Sequence, residues 1–266
     1  MKKFDKYIAS IRLVFLERMA YTKGLWFDIV STRVSILLYF LLWQIVFREQ
    51  SSIAGFTAIE MTTYVILSKI LSAQFSGGVN LIFSKWIVAG EIGTELLRPM
   101  GLFALLGMRR MGEFFFSIIF QAIPVLIFGY FFLGGVGPAS MMHLSLFFLS
   151  VIISVGIMFY VEMLFGMGCF YTLSYYALTY TKQALMELFS GGVVPLALFP
   201  GVMADILNIL PFAGMVSIPV NIFLGKYTAW ESWFYIGVEL FWCAVLWVIT
   251  HAVYRHVIKK VVVQGG

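Results

Sequence analysis

Charged residues are scarce in this 266-residue sequence. Asp, Glu, Lys and Arg make up 12% of it, whereas roughly 25% is usual for a soluble domain. Hydrophobic residues make up 61%, and the mean hydropathy is +0.95. This balance excludes an ordinary soluble domain. It predicts an all-α polytopic membrane protein, because helices satisfy their own backbone hydrogen bonds inside lipid.

Cysteine is nearly absent as well. Cys169 and Cys243 both lie inside apolar runs, and neither has the spacing of a metal ligand. The sequence therefore predicts two packing residues rather than a disulfide or a metal site. The net charge is +5, but the basic residues lie mainly near the ends of apolar runs, where they set membrane topology. Nucleic acid is not expected as a partner.

Sequence motifs for catalysis are also missing. No G-x-x-x-x-G-K-[ST] loop is present, so this chain is not expected to hydrolyse ATP alone. The H-E-x-x-H, G-x-S-x-G and paired-cysteine motifs are absent too, and the three histidines lie near the ends of apolar runs. We expect no catalytic residues and no cofactor on this chain. A polytopic membrane enzyme or assembly factor stays open as an alternative.

The apolar runs predict six transmembrane helices, since about 20 residues cross the hydrocarbon core. The predicted spans are residues 26–47, 59–83, 112–133, 142–164, 169–190 and 229–252. Residues 4–20 have the pattern of an amphipathic helix that lies in the membrane interface. Its apolar face consists of Phe4, Tyr7, Ile8, Ile11, Val14 and Phe15. The chain thus divides into an amphipathic helix, residues 1–24, and a transmembrane domain, residues 25–266.

Basic residues set the predicted orientation. With six spans, the basic residues of the N-terminal helix, of residues 85–110 and of the C-terminal tail all fall on one side. The connections on the other side contain only Arg48 and Lys226 as basic residues. Both termini are therefore expected in the cytoplasm, with the protein in the cytoplasmic (inner) membrane.

A polar segment, Lys85–Met100, lies between two apolar runs and indicates a protein partner. Ser84 is placed to cap a helix, and Glu91 and Glu95 are four residues apart, so they share a helical face. Pro99 favours a stop at the residue before it. The sequence predicts a short amphipathic helix over about 84–99 that docks into a groove of a soluble protein. A surface connection that grips lipid headgroups is the alternative.

Residues 190–226 combine high hydrophobicity with many helix breakers. Four prolines, Pro195, Pro200, Pro211 and Pro219, lie in this segment together with several glycines, and they prevent one continuous helix. Two short half-helices that enter the outer leaflet and return would satisfy both properties, provided that protein buries their broken backbone.

Five polar residues inside the spans are candidates for a transport pathway. Lys69 is near the middle of the second span, where a charge costs roughly 2.5 kcal/mol or more. An ion pair with a glutamate such as Glu113, Glu162 or Glu187 is equally compatible with this position. The other candidates, all in the fifth span, are Tyr175, Tyr176, Lys182 and Glu187. Tyrosines at helical spacing more often belong to the core or the interfacial belt.

Several motifs in this order resemble the membrane (permease) subunits of type 2 ABC exporters. A G-E-I-x-x-E-L-L-R-P segment lies at Gly90–Pro99, and an S-G-G-x-x-P-L-x-L-F-P segment lies at Ser190–Pro200. L-P-F follows at Leu210–Phe212, and the chain ends in Gly265–Gly266. Together with the amphipathic N-terminal helix and six spans, the resemblance covers nearly the whole chain.

The resemblance implies a bacterial exporter subunit that is powered by a separate ATPase, which binds the ATP and magnesium. The segment between the second and third spans would be a coupling helix, with Gly90, Glu91, Glu95, Leu97, Arg98 and Pro99 as coupling residues. The segment before the last span would form re-entrant helices at an extracellular gate, shaped by Gly191, Pro195, Pro200, Pro211 and Pro219. A second permease subunit, identical or related, would complete the pathway.

The resemblance leads to an expected substrate that is amphipathic or hydrophobic, such as a drug, an antimicrobial peptide or a lipid-like molecule. A glycan is not favoured, because no sugar-binding domain is evident. A secondary transporter or channel driven by an ion gradient is the alternative, in which Lys69, Lys182 and Glu187 would serve proton coupling.

Overall fold

The computed structural model describes residues 5–75, 78–98, 100–172 and 174–260. These residues form helices joined by turns, and no β-strand occurs among them. The α-helices are α1 (Asp5–Ala20), α2 (Thr22–Val46), α3 (Ala58–Ser72), α4 (Val79–Val88), α5 (Ile92–Leu96), α6 (Leu102–Ser117), α7 (Ile123–Phe128), α8 (Met141–Thr172), α9 (Tyr175–Phe189), α10 (Val202–Ile209), α11 (Ser217–Phe223) and α12 (Ala229–Val257). The all-α prediction is confirmed for the described parts of the chain.

Five helical stretches are long and apolar enough to cross a membrane. They are Thr22–Val46, Ala58–Val88, Leu102–Leu133, Met141–Thr172 and Ala229–Val257. The third stretch joins α6 to α7 through a π-helical turn, Ile118–Ala122. Pro124 lies two residues after this turn, and because proline has no N–H to donate, the local widening accommodates it.

The predicted count of six single-helix spans is not confirmed, and the fourth and fifth predicted boundaries are wrong. Instead of ending near residue 164, α8 continues to Thr172. Gly166 and Gly168 lie inside it as packing positions, because a Cβ on Gly166 would lie 2.8 Å from Phe83 and one on Gly168 would lie 3.0 Å from Leu178. The next helix, α9, has only 15 residues, about 22 Å at 1.5 Å per residue.

The bundle has two ends, which are named here by residues that lie there. At the Lys226 end, the Lys226 ammonium donates to the Gly55 carbonyl (2.8 Å) and pairs with Glu60 (2.6 Å). The Ala139 N–H donates to the Phe223 carbonyl there (3.0 Å). The opposite end carries α5 and the first residues of α6 and α9, and it is called the α5 end.

The central helix is α8, which packs against α4, α9, α11 and α12. Two separate helices, α9 and α11, follow one another along it. From the α5 end to the Lys226 end, the neighbouring pairs are Gly168 with Leu178, Glu162 with Lys182, Ser154 with Gly214, Phe147 with Phe223 and His143 with Tyr227. The Ser217 N–H donates to the Ser190 carbonyl (2.9 Å). The start of α11 is therefore joined to the end of α9, with residues 191–216 as an excursion.

The amphipathic helix α1 packs against protein rather than presenting its whole apolar face to lipid. Val14 is buried against Gly112 of α6, where a Cβ would lie 3.1 Å from the Val14 side chain. Phe15 meets Phe116 edge to face, with ring centroids 5.4 Å apart. An ion pair between Glu17 and Arg109 adds a polar contact between the same helices. Of the predicted apolar face, Ile8 is exposed and Phe4 lies outside the described residues.

Candidate functional site

A polar cavity of about 390 Å³ opens in the half of the bundle toward the α5 end. Its walls come from α1, α2, α3, α6 and α9, and Gly192–Val193 in the excursion between α9 and α11 also line it. The polar side chains that line it are Arg18, Tyr21, Asp28, Ser31, Thr32, Ser35, Lys69, Ser72, Gln74, Arg110, Glu113, Ser117, Gln121, Gln183 and Glu187. Polar residues of this kind are rare inside membrane helices and usually mark a functional path.

The lining residues form stripes at helical spacing. On α2 the stripe is Asp28, Ser31, Thr32 and Ser35, and on α6 and its continuation it is Arg110, Glu113, Ser117 and Gln121. Because residues three and four apart lie on one face of a helix, each helix turns a polar stripe toward the cavity. The spacing is visible in the sequence, although no cavity was predicted from it. Only knowledge of the neighbouring helices shows that the stripes face each other.

Three charged side chains in the cavity have no ion-pair partner. Within the described residues, Asp28, Lys69 and Glu187 lie more than 4 Å from any side chain of opposite charge. The Lys69 ammonium lies 4.0 Å from the centroid of the Tyr39 ring, a cation–π contact. Glu187 accepts a hydrogen bond from Gln183 Nε2 (2.9 Å). Lys69 therefore makes no direct contact with any of the three candidate glutamates, although Glu187 is near enough to act on it electrostatically.

A buried charged network lies behind the cavity wall. Glu162, with 0% of its side chain exposed, has a carboxylate oxygen 3.4 Å from Arg110 and 3.7 Å from Lys182. Its other oxygen accepts from the Val79 N–H (3.2 Å) at the start of α4. Lys182 also donates to Asn80 (2.8 Å). Lys182 is thus part of a network that joins α4, α6, α8 and α9, and it does not line the cavity.

Gly78, just before α4, allows the Glu162 carboxylate to reach the first turn of that helix. Its φ of +83° is a left-handed conformation that favours glycine. A Cβ at this position would overlap the Glu162 carboxylate. The absence of a side chain therefore lets the carboxylate approach the positive end of the helix, where negative charge is stabilised.

The 85–100 segment is folded differently from the prediction. The helix expected over about 84–99 is two helices, because Gly90 adopts a left-handed φ of +75° between α4 and α5. Ser84 is buried inside α4 and does not cap a helix. Glu91 is exposed, whereas Glu95 is buried and pairs with Arg98 (2.7 Å). The two carboxylates therefore do not share one exposed face.

One side of α5 is fixed to the rest of the protein, and the other side is free. Ile92 is buried in a small apolar cluster with residues of α4, α6 and α8; its other members are Val79, Phe83, Leu102, Leu106, Met163 and Met167. On the opposite side, Leu97 is 85% exposed, and Glu91, Thr94 and Arg98 are exposed beside it. Pro99 lies outside the described residues. Leu97 and Arg98, here called the tip, therefore place an exposed apolar side chain next to a helix that is fixed to the protein core. Such an arrangement is suited to protein docking.

The broken segment, residues 190–226, has its backbone hydrogen bonds satisfied by neighbouring helices. The Tyr64 hydroxyl donates to the Gly191 carbonyl (2.9 Å), and the Trp242 indole donates to the Ile209 carbonyl (2.6 Å). The Ser154 hydroxyl donates to the Gly214 carbonyl. These contacts allow an irregular backbone to lie inside a membrane protein.

The predicted gate residues fall on the breaks in this segment. Gly191 has a φ of +84° and packs against Tyr64. Pro195 precedes a short 3₁₀ turn, and Pro200 lies just before α10. Pro211 follows α10, whereas Pro219 lies in the first turn of α11, where its missing N–H costs no helical bond.

Two predicted pathway residues, Tyr175 and Tyr176, lie at the start of α9 and do not line the cavity. Their ring centroids are 4.3 Å apart, and the Lys85 ammonium lies 6.0 Å from the centroid of the Tyr175 ring. Of the five predicted pathway residues, only Lys69 and Glu187 are in the cavity wall.

A buried carboxyl that sequence analysis missed lies behind the broken segment. Glu239 of α12 has 0% exposure and accepts from the Ser150 hydroxyl (2.6 Å). A Cβ on Gly214 would lie 3.1 Å from its side chain. The signal was a glutamate near the middle of the last apolar run.

Apolar helices long enough to span a bilayer, together with a polar cavity between them, define a multi-pass membrane transport protein. The chain belongs to the ABC-2 transporter family, because the family model described as "ABC-2 family transporter protein" matches residues 34–265. The predicted resemblance is confirmed. The family makes this chain a membrane permease of an ABC-type transporter, which associates with an ABC ATPase. No curated protein matches the sequence.

Proposed function

We propose that this chain is the permease subunit of a bacterial ATP-driven exporter that moves an amphipathic compound across the cytoplasmic membrane. The observation that carries the proposal is the polar cavity, which lies in the half of the bundle toward the α5 end and is lined in part by Gly192–Val193 of the excursion. A cavity with this extent is suited to a substrate that enters from the α5 side and is held below a closed gate. ATP and magnesium bind only to the partner ATPase, and this chain has no catalytic role.

In addition to the five long helical stretches, α9 and α11 together make one further crossing, between those of α8 and α12. Since α9 has 15 residues and α11 has seven, the two together cover about 33 Å, the thickness of the hydrocarbon core. Six crossings return the chain to its starting side. Both termini and the α5 end are then cytoplasmic, and Lys226 is extracellular.

The excursion between α9 and α11 is the gate. Gly191 and Pro195 interrupt the crossing beside the cavity, and Pro200 and Pro211 divide the rest of the excursion into short pieces. Pro219 lies in the first turn of α11, just after the excursion. Movement of such a segment needs fewer backbone bonds to break than movement of a continuous helix. Two permease subunits, identical or related, enclose the complete pathway.

Leu97 and Arg98 at the tip beyond α5 form the ATPase contact, together with Gly90 and Glu91. Glu95 acts within the tip by holding Arg98, and Pro99 adjoins it in sequence. The apolar cluster under Ile92 joins the tip to α6 and α8, so force on the tip reaches the cavity wall. The ion-gradient alternative loses support because Lys182 is held in the buried network.

Replacing Leu97 with Asp tests the coupling role. We expect Leu97→Asp to reduce co-purification of the ATPase by tenfold or more, about 1.4 kcal/mol, because a charge replaces an exposed apolar anchor. Leu97→Met is the matched control and should retain the ATPase, since it keeps an apolar side chain of similar size. Equal recovery of the ATPase with Leu97→Asp and Leu97→Met would overturn the proposed contact.

A further inference from the structure

The unpaired charges of the cavity are of both signs. Asp28 on α2, Glu187 on α9 and Lys69 on α3 all line it, and among the described residues none has an opposite charge within 4 Å. Unpaired charges in a membrane protein are costly. Arg18 acts electrostatically on Asp28, and Glu187 acts on Lys69, but neither pair is in direct contact. Charges of both signs are therefore open to a ligand in the cavity.

The remaining charges of the cavity already have partners. Arg18 lies 3.7 Å from Glu113, and Arg110 lies 3.6 Å from the same carboxylate. Together with Glu162 and Lys182 behind them, these residues form a network of ion pairs within 4 Å. A ligand therefore has two carboxylates, Asp28 and Glu187, and one ammonium, Lys69, to bind.

The size and surroundings of the cavity restrict the ligand further. About 390 Å³ is within the range of small-molecule sites and is enough for a polar headgroup. Hydroxyl and amide groups of Ser72, Ser117 and Gln121 add neutral hydrogen-bond partners. On other faces of α2, Trp26 and Phe27 are exposed, so an alkyl chain that leaves the cavity along α2 meets apolar surface.

We propose that the cavity binds the headgroup of a zwitterionic amphiphile. Its ammonium group lies at Asp28 and Glu187, its phosphate or carboxylate lies at Lys69, and its alkyl chain follows α2 into the lipid. This proposal adds a substrate class to the proposed function. Transport of the ligand rests on that function, but its binding does not, because binding needs no ATPase.

Binding of three probes with the same fluorescent dodecyl chain tests the proposal. Their headgroups are phosphocholine, trimethylammonium and methyl phosphate, and the full-length protein is held in lipid nanodiscs. We expect the phosphocholine probe to bind about tenfold more tightly than either single-charge probe, because each lost charge-assisted contact weakens binding by roughly that factor.

Two variants should change this preference in opposite directions. Lys69→Met removes the partner of the anionic group, so the trimethylammonium probe should bind as tightly as the phosphocholine probe. Asp28→Asn combined with Glu187→Gln removes the partners of the ammonium, so the methyl phosphate probe should draw level instead. Glu49→Gln, on an exposed loop, is the matched control and should leave the order unchanged. A thermal unfolding curve for each variant verifies that the fold is intact.

An unchanged order of the three probes in both cavity variants would overturn the site. Soluble glycerophosphocholine, which has no alkyl chain, should compete at least a hundredfold less well than the phosphocholine probe. Equal competition would overturn the amphiphile. These results do not depend on the ATPase. Equal binding of the three probes to the unchanged protein, with a retained effect of Leu97→Asp on the ATPase, refutes only the binding site, and the reverse result refutes only the coupling role.

Discussion

Glu162 is the residue on which the buried contacts at the α5 half of the bundle converge. Its carboxylate is the shared anion of Arg110 and Lys182, and it accepts from the first turn of α4. Removing one member of a buried ionic group leaves the others without compensation, which costs more than the group itself contributes. The network therefore makes the helix arrangement specific.

We expect Glu162→Gln to lower the free energy of unfolding by about 3 kcal/mol, because Arg110 and Lys182 would remain buried beside a neutral amide. Glu49→Gln should change it by less than about 0.5 kcal/mol, since that side chain is exposed. Denaturant unfolding in detergent measures both. Glu162→Gln combined with Lys182→Met should recover part of the loss. Equal stability of Glu162→Gln and the unchanged protein would contradict this role.

Sequence alone named Glu162 and Lys182 of this network but not their pairing. Glu162 was one of three possible partners for Lys69, and the structure pairs it with Arg110 and Lys182 instead. The reason is that a charge inside an apolar run demands a partner, while the choice of partner depends on which helices are neighbours. That choice is tertiary information.

At the scale of elements, helix breaks were predictable at proline, which lacks the N–H that donates a helical hydrogen bond. The prolines of residues 190–226 end or begin short helices as expected. Glycine was less informative, because Gly166 and Gly168 lie inside α8 as packing positions, whereas Gly90 breaks a helix through its left-handed φ. Sequence does not distinguish these two uses of glycine.

Tyr64 tests how the broken segment is held. In Tyr64→Phe the buried Gly191 carbonyl loses its hydrogen-bond donor, which costs about 1–3 kcal/mol. We expect the backbone amides of residues 191–194 to exchange with deuterium about tenfold faster, as measured by mass spectrometry. Tyr21→Phe, at an exposed tyrosine, should not change them. Unaltered exchange in Tyr64→Phe would mean that this contact does not hold the segment.

At the scale of the whole molecule, the sequence predicted a helical membrane protein of the correct family, because hydropathy and motif order are local properties. The polar cavity was not predicted, although Lys69 and Glu187 were named, because its walls come from five helices that are distant in sequence. The placement of α9 and α11 one after the other along α8 was missed for the same reason. Only their shared contacts along α8 reveal it.

The central claim is that the exposed tip at Leu97 contacts an ABC ATPase. A photo-crosslinking phenylalanine analogue in place of Leu97 tests it directly in intact cells, with the same analogue at Glu49 as the control. The account predicts a covalent adduct from position 97 with a protein that carries a phosphate-binding loop, identified by mass spectrometry, and no such adduct from position 49. An ATPase adduct from position 49, or none from position 97 in a complex that still co-purifies, would contradict it.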